Sequence, residues 1–359
     1  MENNPSLTED IHLTINDKEV TGHLPLNAKI DSLIAAFEFL GVSILVNNIN
    51  QDSAITTNNF SKNVKYEIIS ESGNSNTYNI NTTYFTGLPI MYINTENGAA
   101  IASKDEYVEG NIDFFGAKNA ESFSSNDIKI RGRGNSSWAL FPKKSYQIKF
   151  DDKMEIMGMP KDKRWVLLSN YSDKTMLRNK ISLDLGQISS LDWTPQSEFV
   201  ELFLNGHYRG TYLLTQKVEE TSNRVDITND GFLLEVDQLD RLNEEDVYFQ
   251  SDLLLFNIQA PDVEWEDSEY LYIKEYINEI EDVLYSETFN DPINGYTKYI
   301  DVDSFVDWYL INEITKNNDA VFAASVFMNH IPGEKLKMGP IWDFDIALGN
   351  IYYNNNDVP

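Results

Sequence analysis

The sequence predicts an α+β chain in which a small all-β sandwich precedes a larger mixed domain. Three observations predict it. Short alternating segments separated by turn residues fill roughly the first 86 positions. All six tryptophans fall between Trp138 and Trp342. Helical patterns of apolar residues appear only from Lys174 onward. The boundary is therefore expected between residues 1–86 and 87–359, at the composition shift near Thr82–Gly87.

In the first segment Ile11-His12-Leu13-Thr14-Ile15 alternates, and Asn16-Asp17 turns into Lys18-Glu19-Val20. Ile44-Leu45-Val46 is a short apolar run closed by Asn47-Asn48. Val64–Ile68 and Thr77–Asn81 alternate around the turn Glu71-Ser72-Gly73-Asn74. Short strands with such punctuation read as a sandwich. Beyond Leu88, strands are expected at Pro89–Ile93, Asp127–Ile130, Ser145–Phe150 and Arg164–Leu168. Phe199–Leu204 and Tyr208–Leu214 flank Asn205-Gly206, a strong hairpin signal. A helix is expected over Lys174–Leu185 after the cap Ser172-Asp173. Ser268–Tyr285 carries Ile273, Ile277, Ile280 and Leu284 on one helical face. Phe305–Ile314 is apolar nearly all round and is expected to be a buried helix. Ala324–Met328 and Lys335–Met338 read as short strands.

The chain has 359 residues, 28 basic and 57 acidic side chains, and a formal net charge of −29. Such a field repels nucleic acid and anionic membranes, so neither is an expected partner. No apolar run is long enough to span a bilayer. The absence of cysteine excludes disulfides, thiolate metal sites and cysteine nucleophiles. His12, His23, His207 and His330 have no metal-ligand spacing. The start, Met1-Glu2-Asn3-Asn4-Pro5, lacks the basic and apolar regions of a signal peptide.

Against that acidic background the basic clusters stand out. Arg131-Gly132-Arg133-Gly134-Asn135-Ser136-Ser137 joins two expected strands. Small residues let backbone N–H groups approach phosphate oxygens. No helix is expected after the loop, so it is neither a Walker loop nor a dinucleotide fingerprint. It is similar to the glycine loop over the phosphates in protein kinases. A tight hairpin with exposed arginines fits the same residues. Lys144 shares a strand face with Tyr146 and Ile148 by alternation, and would be a point charge for phosphates or a solvated basic edge. Asp319 stands before Ala320-Val321-Phe322-Ala323-Ala324, where a lone carboxylate is costly unless paired or used. Asp343 and Asp345 flank Phe344. With a period of two they would share one face and one magnesium, although aspartates also cap turns.

Several longer stretches carry a resemblance. They are Ile130–Trp138, Pro142-Lys143-Lys144-Ser145-Tyr146, Trp165–Asp173, Leu177-Arg178-Asn179-Lys180, Tyr208–Leu214 and Gly339-Pro340-Ile341-Trp342-Asp343-Phe344-Asp345. Over roughly residues 88–350 the chain resembles the CotH (spore coat protein H) kinase family. The resemblance implies an atypical protein-kinase-like domain that phosphorylates serine of secreted or coat proteins with ATP and Mg²⁺ or Mn²⁺. It implies Asp319 as the catalytic aspartate, and Asp343 with Asp345 as metal ligands. It also implies nucleotide contacts from Lys144, Arg131, Gly132, Gly134, Asn135, Ser136 and Ser137. Family members continue with helical sequence, so the domain is expected to extend past Pro359. The family resemblance implies a protein or peptide acceptor, and the first 86 residues resemble the immunoglobulin-like domains of bacterial surface proteins, which implies an extracellular or cell-surface location. A non-catalytic surface binding or adhesion module on the same fold is the other reading, suggested by the apolar run after Asp319. Transfer of AMP instead of phosphate stays open.

Overall fold

The computed structural model describes residues 3–7, 10–24, 28–84, 87–116 and 121–351. The chain divides into two compact units, Met1–Leu88 and Pro89–Pro359.

The first unit is built from strands. They are β1 (Thr14–Asn16), β2 (Glu19–Leu24), β3 (Leu33–Ile34), β4 (Ser43–Val46), β5 (Ile49–Asn50), β6 (Thr57–Asn58), β7 (Val64–Ile69) and β8 (Ser75–Tyr84). Six of them form a sheet in the order β1-β2-β8-β7-β4-β5, and β3 pairs with β6. Alternation sends Ile44, Val46, Val64 and Tyr66 to one face, where they pack with Ile30 and Leu33. Asn47 and Asn48 both adopt left-handed φ angles of 49° and 64°, as a two-residue hairpin loop requires.

The second unit opens with seven strands: β9 (Ile90–Thr95), β10 (Val108–Phe115), β11 (Phe123–Arg133), β12 (Ser145–Ile156), β13 (Met159–Leu168), β14 (Ser197–Leu204) and β15 (His207–Gln216). They close into a barrel in the order β10-β11-β12-β13-β15-β14-β9. The closing pair, β14 with β9, is parallel. Alternate residues point inward, so Ile112, Ile128, Ile130, Ile148, Trp165, Leu202 and Leu214 fill the barrel without solvent contact.

A five-stranded sheet follows: β16 (Phe232–Val236), β17 (Tyr248–Gln250), β18 (Leu255–Ala260), β19 (Val326–His330) and β20 (Lys337–Met338), in the order β17-β18-β16-β19-β20. Four α-helices complete the described residues: α1 (Ser136–Leu140), α2 (Arg178–Gln187), α3 (Ser268–Leu284) and α4 (Val302–Thr315). Ile273, Ile277 and Ile280 of α3 and Trp308 and Ile311 of α4 pack on Leu234, Val236 and Met328 of the sheet. Asp267 accepts from the Tyr270 N–H at 2.8 Å and Asp301 from the Ser304 N–H at 3.0 Å, capping α3 and α4.

Four local expectations are corrected. The glycine loop does carry a helix, the one-turn α1. Helix α2 starts at Arg178, four residues later than expected. Asp173 spends its carboxylate on the turn before it, accepting from Thr175 and from the Arg178 N–H. Leu284 is exposed, and the buried Glu281 takes the inward place, accepting from Ser251 Oγ at 2.7 Å. Helix α4 is not buried all round. Val306, Tyr309, Leu310 and Ile314 face solvent, because only the stripe through Trp308, Ile311 and Thr315 meets the sheet.

His330 on β19 supplies a pH test. It is buried, stacks on Tyr276 with ring centroids 4.0 Å apart, and lies 2.9 Å from the Tyr272 hydroxyl through Nε2. Its Nδ1 has no partner among the described residues. Burial pushes its pKa down to about 4 from an ordinary 6.5, so the fold holds the neutral ring. The stability this provides is complete above the ordinary value and is lost as pH falls through about 4. Urea midpoints compared between pH about 7 and about 4 should show a smaller acid loss for His330→Phe than for wild type.

Candidate active site

Three carboxylates meet at one place. One oxygen each from Asp319, Asp343 and Asp345 lies within 4.8 Å of the others, and all three residues keep partial solvent contact. Separate segments deliver them. Helix α4 ends at Lys316, whose left-handed backbone (φ 47°) turns the chain toward Asp319. The other two come from the segment after β20, where the expected strand does not form. Asp343 takes φ 66° instead, and Phe344 between the pair is fully buried. The Phe344 N–H donates to Asn179 Oδ1 of α2 at 2.9 Å. With Phe344 anchored inward, both flanking aspartates reach the same cleft without strand alternation.

Asn317 joins the two segments. Its Oδ1 accepts from the Asp319 N–H at 3.2 Å, and its Nδ2 donates to the Asp343 carbonyl at 3.3 Å and to Asn312 Oδ1 at 3.1 Å. Ser172 Oγ donates to Asp345 Oδ2 at 2.8 Å, and Asn350 Nδ2 to its carbonyl at 2.7 Å. Asn179 and Ser172 fall in stretches singled out in the sequence, but Ser172 reads there only as a helix cap, and nothing in the sequence points Asn179 or Asn317 to the aspartates.

The electrostatics are those of crowded acids. Burial raises the Asp343 pKa, and Asp345 and Asp319 raise it further against the pull of Arg133 and Arg241. Asp319 is raised by burial and by Asp345. Three hard oxygen donors that repel one another and lack a full complement of counterions suit a divalent cation such as Mg²⁺.

The residues expected at the phosphates form a second group around Trp138. The Trp138 ring lies where a Cβ on Gly132 would sit, and Ser137 Oγ where one on Gly134 would sit. Only glycine fits at either position. Lys144 Nζ donates to the Trp138 carbonyl. Asn135 Oδ1 accepts from Lys104 Nζ at 2.9 Å. Arg131 lies over the Tyr107 ring, 4.7 Å from its centroid. The link to the aspartates runs through Arg133, whose guanidinium stacks on Trp342 at 4.8 Å, one residue before Asp343.

With this geometry in view, the comparisons with known proteins are specific. The family model described as CotH kinase protein matches residues 130–358. The chain belongs to the CotH kinase family. The family is one of atypical kinases. The match begins inside β11 rather than near residue 88, so it leaves the first unit and the first barrel strands unnamed. The chain is also similar to inner spore coat protein H of Bacillus subtilis (strain 168), with 26% identity over 230 residues. That covers 62% of this chain and 59% of the relative. The chain thus spans about three fifths of the length of that relative. No helix of the described residues is long and apolar enough to cross a membrane.

Two outcomes follow from the shared amide and the crowded acids. Asn317→Ala removes no charge, yet it should weaken Mn²⁺ binding, read by titration of the free ion, and cost about 1–3 kcal/mol in urea unfolding. Asp343→Asn should stabilise the metal-free protein. The raised Asp343 pKa means wild-type stability is lost as pH rises above the ordinary carboxylate range, so the variant's advantage should grow with pH in melts with a chelator.

Proposed function

We propose that this protein is an ATP- and Mg²⁺-dependent phosphotransferase that modifies serine in a secreted or surface protein. The observation that carries the reading is the convergence of Asp319 with Asp343 and Asp345. Asp343 and Asp345 would hold the metal, with Ser172 fixing the Asp345 carboxylate. Asp319, whose backbone is fixed by Asn317, would orient the acceptor hydroxyl and take its proton. Burial and Asp345 raise its proton affinity, which suits a base. The loop from Arg131 to Ser137, shaped by Trp138 and tied to Lys144, would cover the phosphates. Bound Mg²⁺ supplies neutralisation of phosphate charge, and the rest is positioning.

The acceptor is a protein or peptide exposed to the exterior, and the first unit is an immunoglobulin-like carrier on a cell surface. The relative's name places it in a spore coat, which supports an assembled protein layer as the setting. The net charge of −29 favours basic acceptors by steering. A second reading, a binding module without catalysis, draws on the exposed Val321 beside Asp319 and the solvent-facing apolar residues of α4.

Thermal unfolding with ATP and Mg²⁺ or Mn²⁺ separates these readings from a protein with no nucleotide site. Ligand at about 100 times its dissociation constant should add about 2.7 kcal/mol, and Asp343→Ala should abolish the gain. Transfer of the γ-phosphate to a basic serine peptide should fall by about 10²-fold or more in Asp319→Asn. Binding without transfer to any serine protein or peptide tried would favour the second reading.

A further inference from the structure

The sequence directs attention to Arg131 and Lys144, but the structure puts Arg133 near Asp343 and Lys217 near Arg133. Arg133 ends β11 on the outer face of the barrel. Its only partner among the described residues is the face of Trp342, and no carboxylate or carbonyl accepts a hydrogen bond from its guanidinium. Around it lie the charges of Asp343 and Glu235, and burial lowers its pKa. A half-buried guanidinium without an ion pair is costly unless an anion is supplied.

Lys217 follows β15 directly. Its Nζ lies 3.8 Å from Glu219 Oε2 and donates to the Val218 carbonyl at 3.3 Å. Glu219 is already committed to Arg224 at 2.5 Å and Arg164 at 2.7 Å, so it neutralises Lys217 poorly. Val218 and Trp342 pack on the same apolar cluster, which includes Leu233 of β16. Alternation along β16 puts Glu235 on the face of Leu233, opposite Leu234 and Val236. Arg133, Lys217 and Glu235 are thus gathered at that cluster. Burial drives both ends of this group toward neutrality, with Lys217 lowered to about 8 and Glu235 raised to about 8.

We propose that Arg133 and Lys217 form the anion-receiving side of the site and take the phosphate oxygens of the nucleotide. This rests on the phosphotransferase reading and assigns the phosphate contacts within it. Arg133 supplies a fork that can meet two oxygens, and Lys217 a point charge. The Trp342 face holds the guanidinium in place beside the aspartates.

The test is calorimetric binding of the non-hydrolysable ATP analogue AMP-PNP with Mn²⁺, alongside Mn²⁺ alone. It uses the whole chain as wild type, Arg133→Gln, Arg133→Lys and Lys217→Gln, with the ligand-free unfolding midpoint of each. Arg133→Gln and Lys217→Gln should each weaken AMP-PNP about tenfold or more, and Arg133→Lys less. Mn²⁺ alone should bind Arg133→Gln at least as tightly as wild type, because a cation near Asp343 has been removed. AMP-PNP binding to both Gln variants as to wild type would overturn this inference and leave the function standing. Equal weakening of Mn²⁺ and AMP-PNP would overturn it too, in favour of a structural role. A wild type that binds neither ligand would overturn the phosphotransferase reading itself.

Discussion

Asn317 is a buried amide that touches both halves of the aspartate cluster. Its oxygen accepts from the Asp319 backbone and its nitrogen donates to the Asp343 carbonyl. Three carboxylates within 4.8 Å of one another repel, and would separate unless their backbones were fixed. The amide fixes two of them, and the Asn179 bond to the Phe344 N–H fixes the turn that carries the third. The fully buried Phe344 ring makes that turn an anchored one. Helices α2 and α4 therefore do more than fill the core. Helix α2 delivers Asn179 to the segment that holds the metal-ligand candidates, and α4 ends so that Asn317, just past its C-cap, reaches it.

The cost of this arrangement is stored as electrostatic tension. Asp343 and Asp319 are held with raised proton affinity, and Arg133, a cation near Asp343, rests on an aromatic face instead of on a carboxylate. The acids are not paired with that cation, which rests on the Trp342 face one residue before Asp343. Charge left unmatched inside a fold is a property of sites that await a partner. By contrast the buried Arg224, between β15 and β16, is matched by Glu219, with Asp162 close by.

Much of this was legible from residue order. Strands with strict alternation, such as β7 and β8, lie where period two predicts them, and Asn205-Gly206 makes its hairpin between β14 and β15. Asp319, Asp343 and Asp345 were marked by their apolar surroundings, and the family resemblance supplied their roles. The barrel was not legible, because its closure depends on β9 meeting β14 from more than a hundred residues away. The outward side of α4 was misread because Tyr309 and Ile314 look like core residues until the sheet's reach is known. Arg133 was passed over in favour of Arg131, although both lie on one strand face and the alternation was there to see. Only the contact with Trp342 tells them apart. Lys217 carries no motif at all; its place is set by the pairing of β15 with β13.

The closed barrel also dictates an order of events during synthesis. Strand β9 emerges from the ribosome early, yet its parallel partner β14 lies beyond four more strands and helix α2. Until β14 is available, β9 presents an unpaired edge to any other chain nearby. Closure through so distant a contact is slow compared with hairpin formation. A cell making this protein must therefore keep the nascent first half of the barrel from pairing with copies of itself, and its demand for chaperones is concentrated in the interval between those two strands.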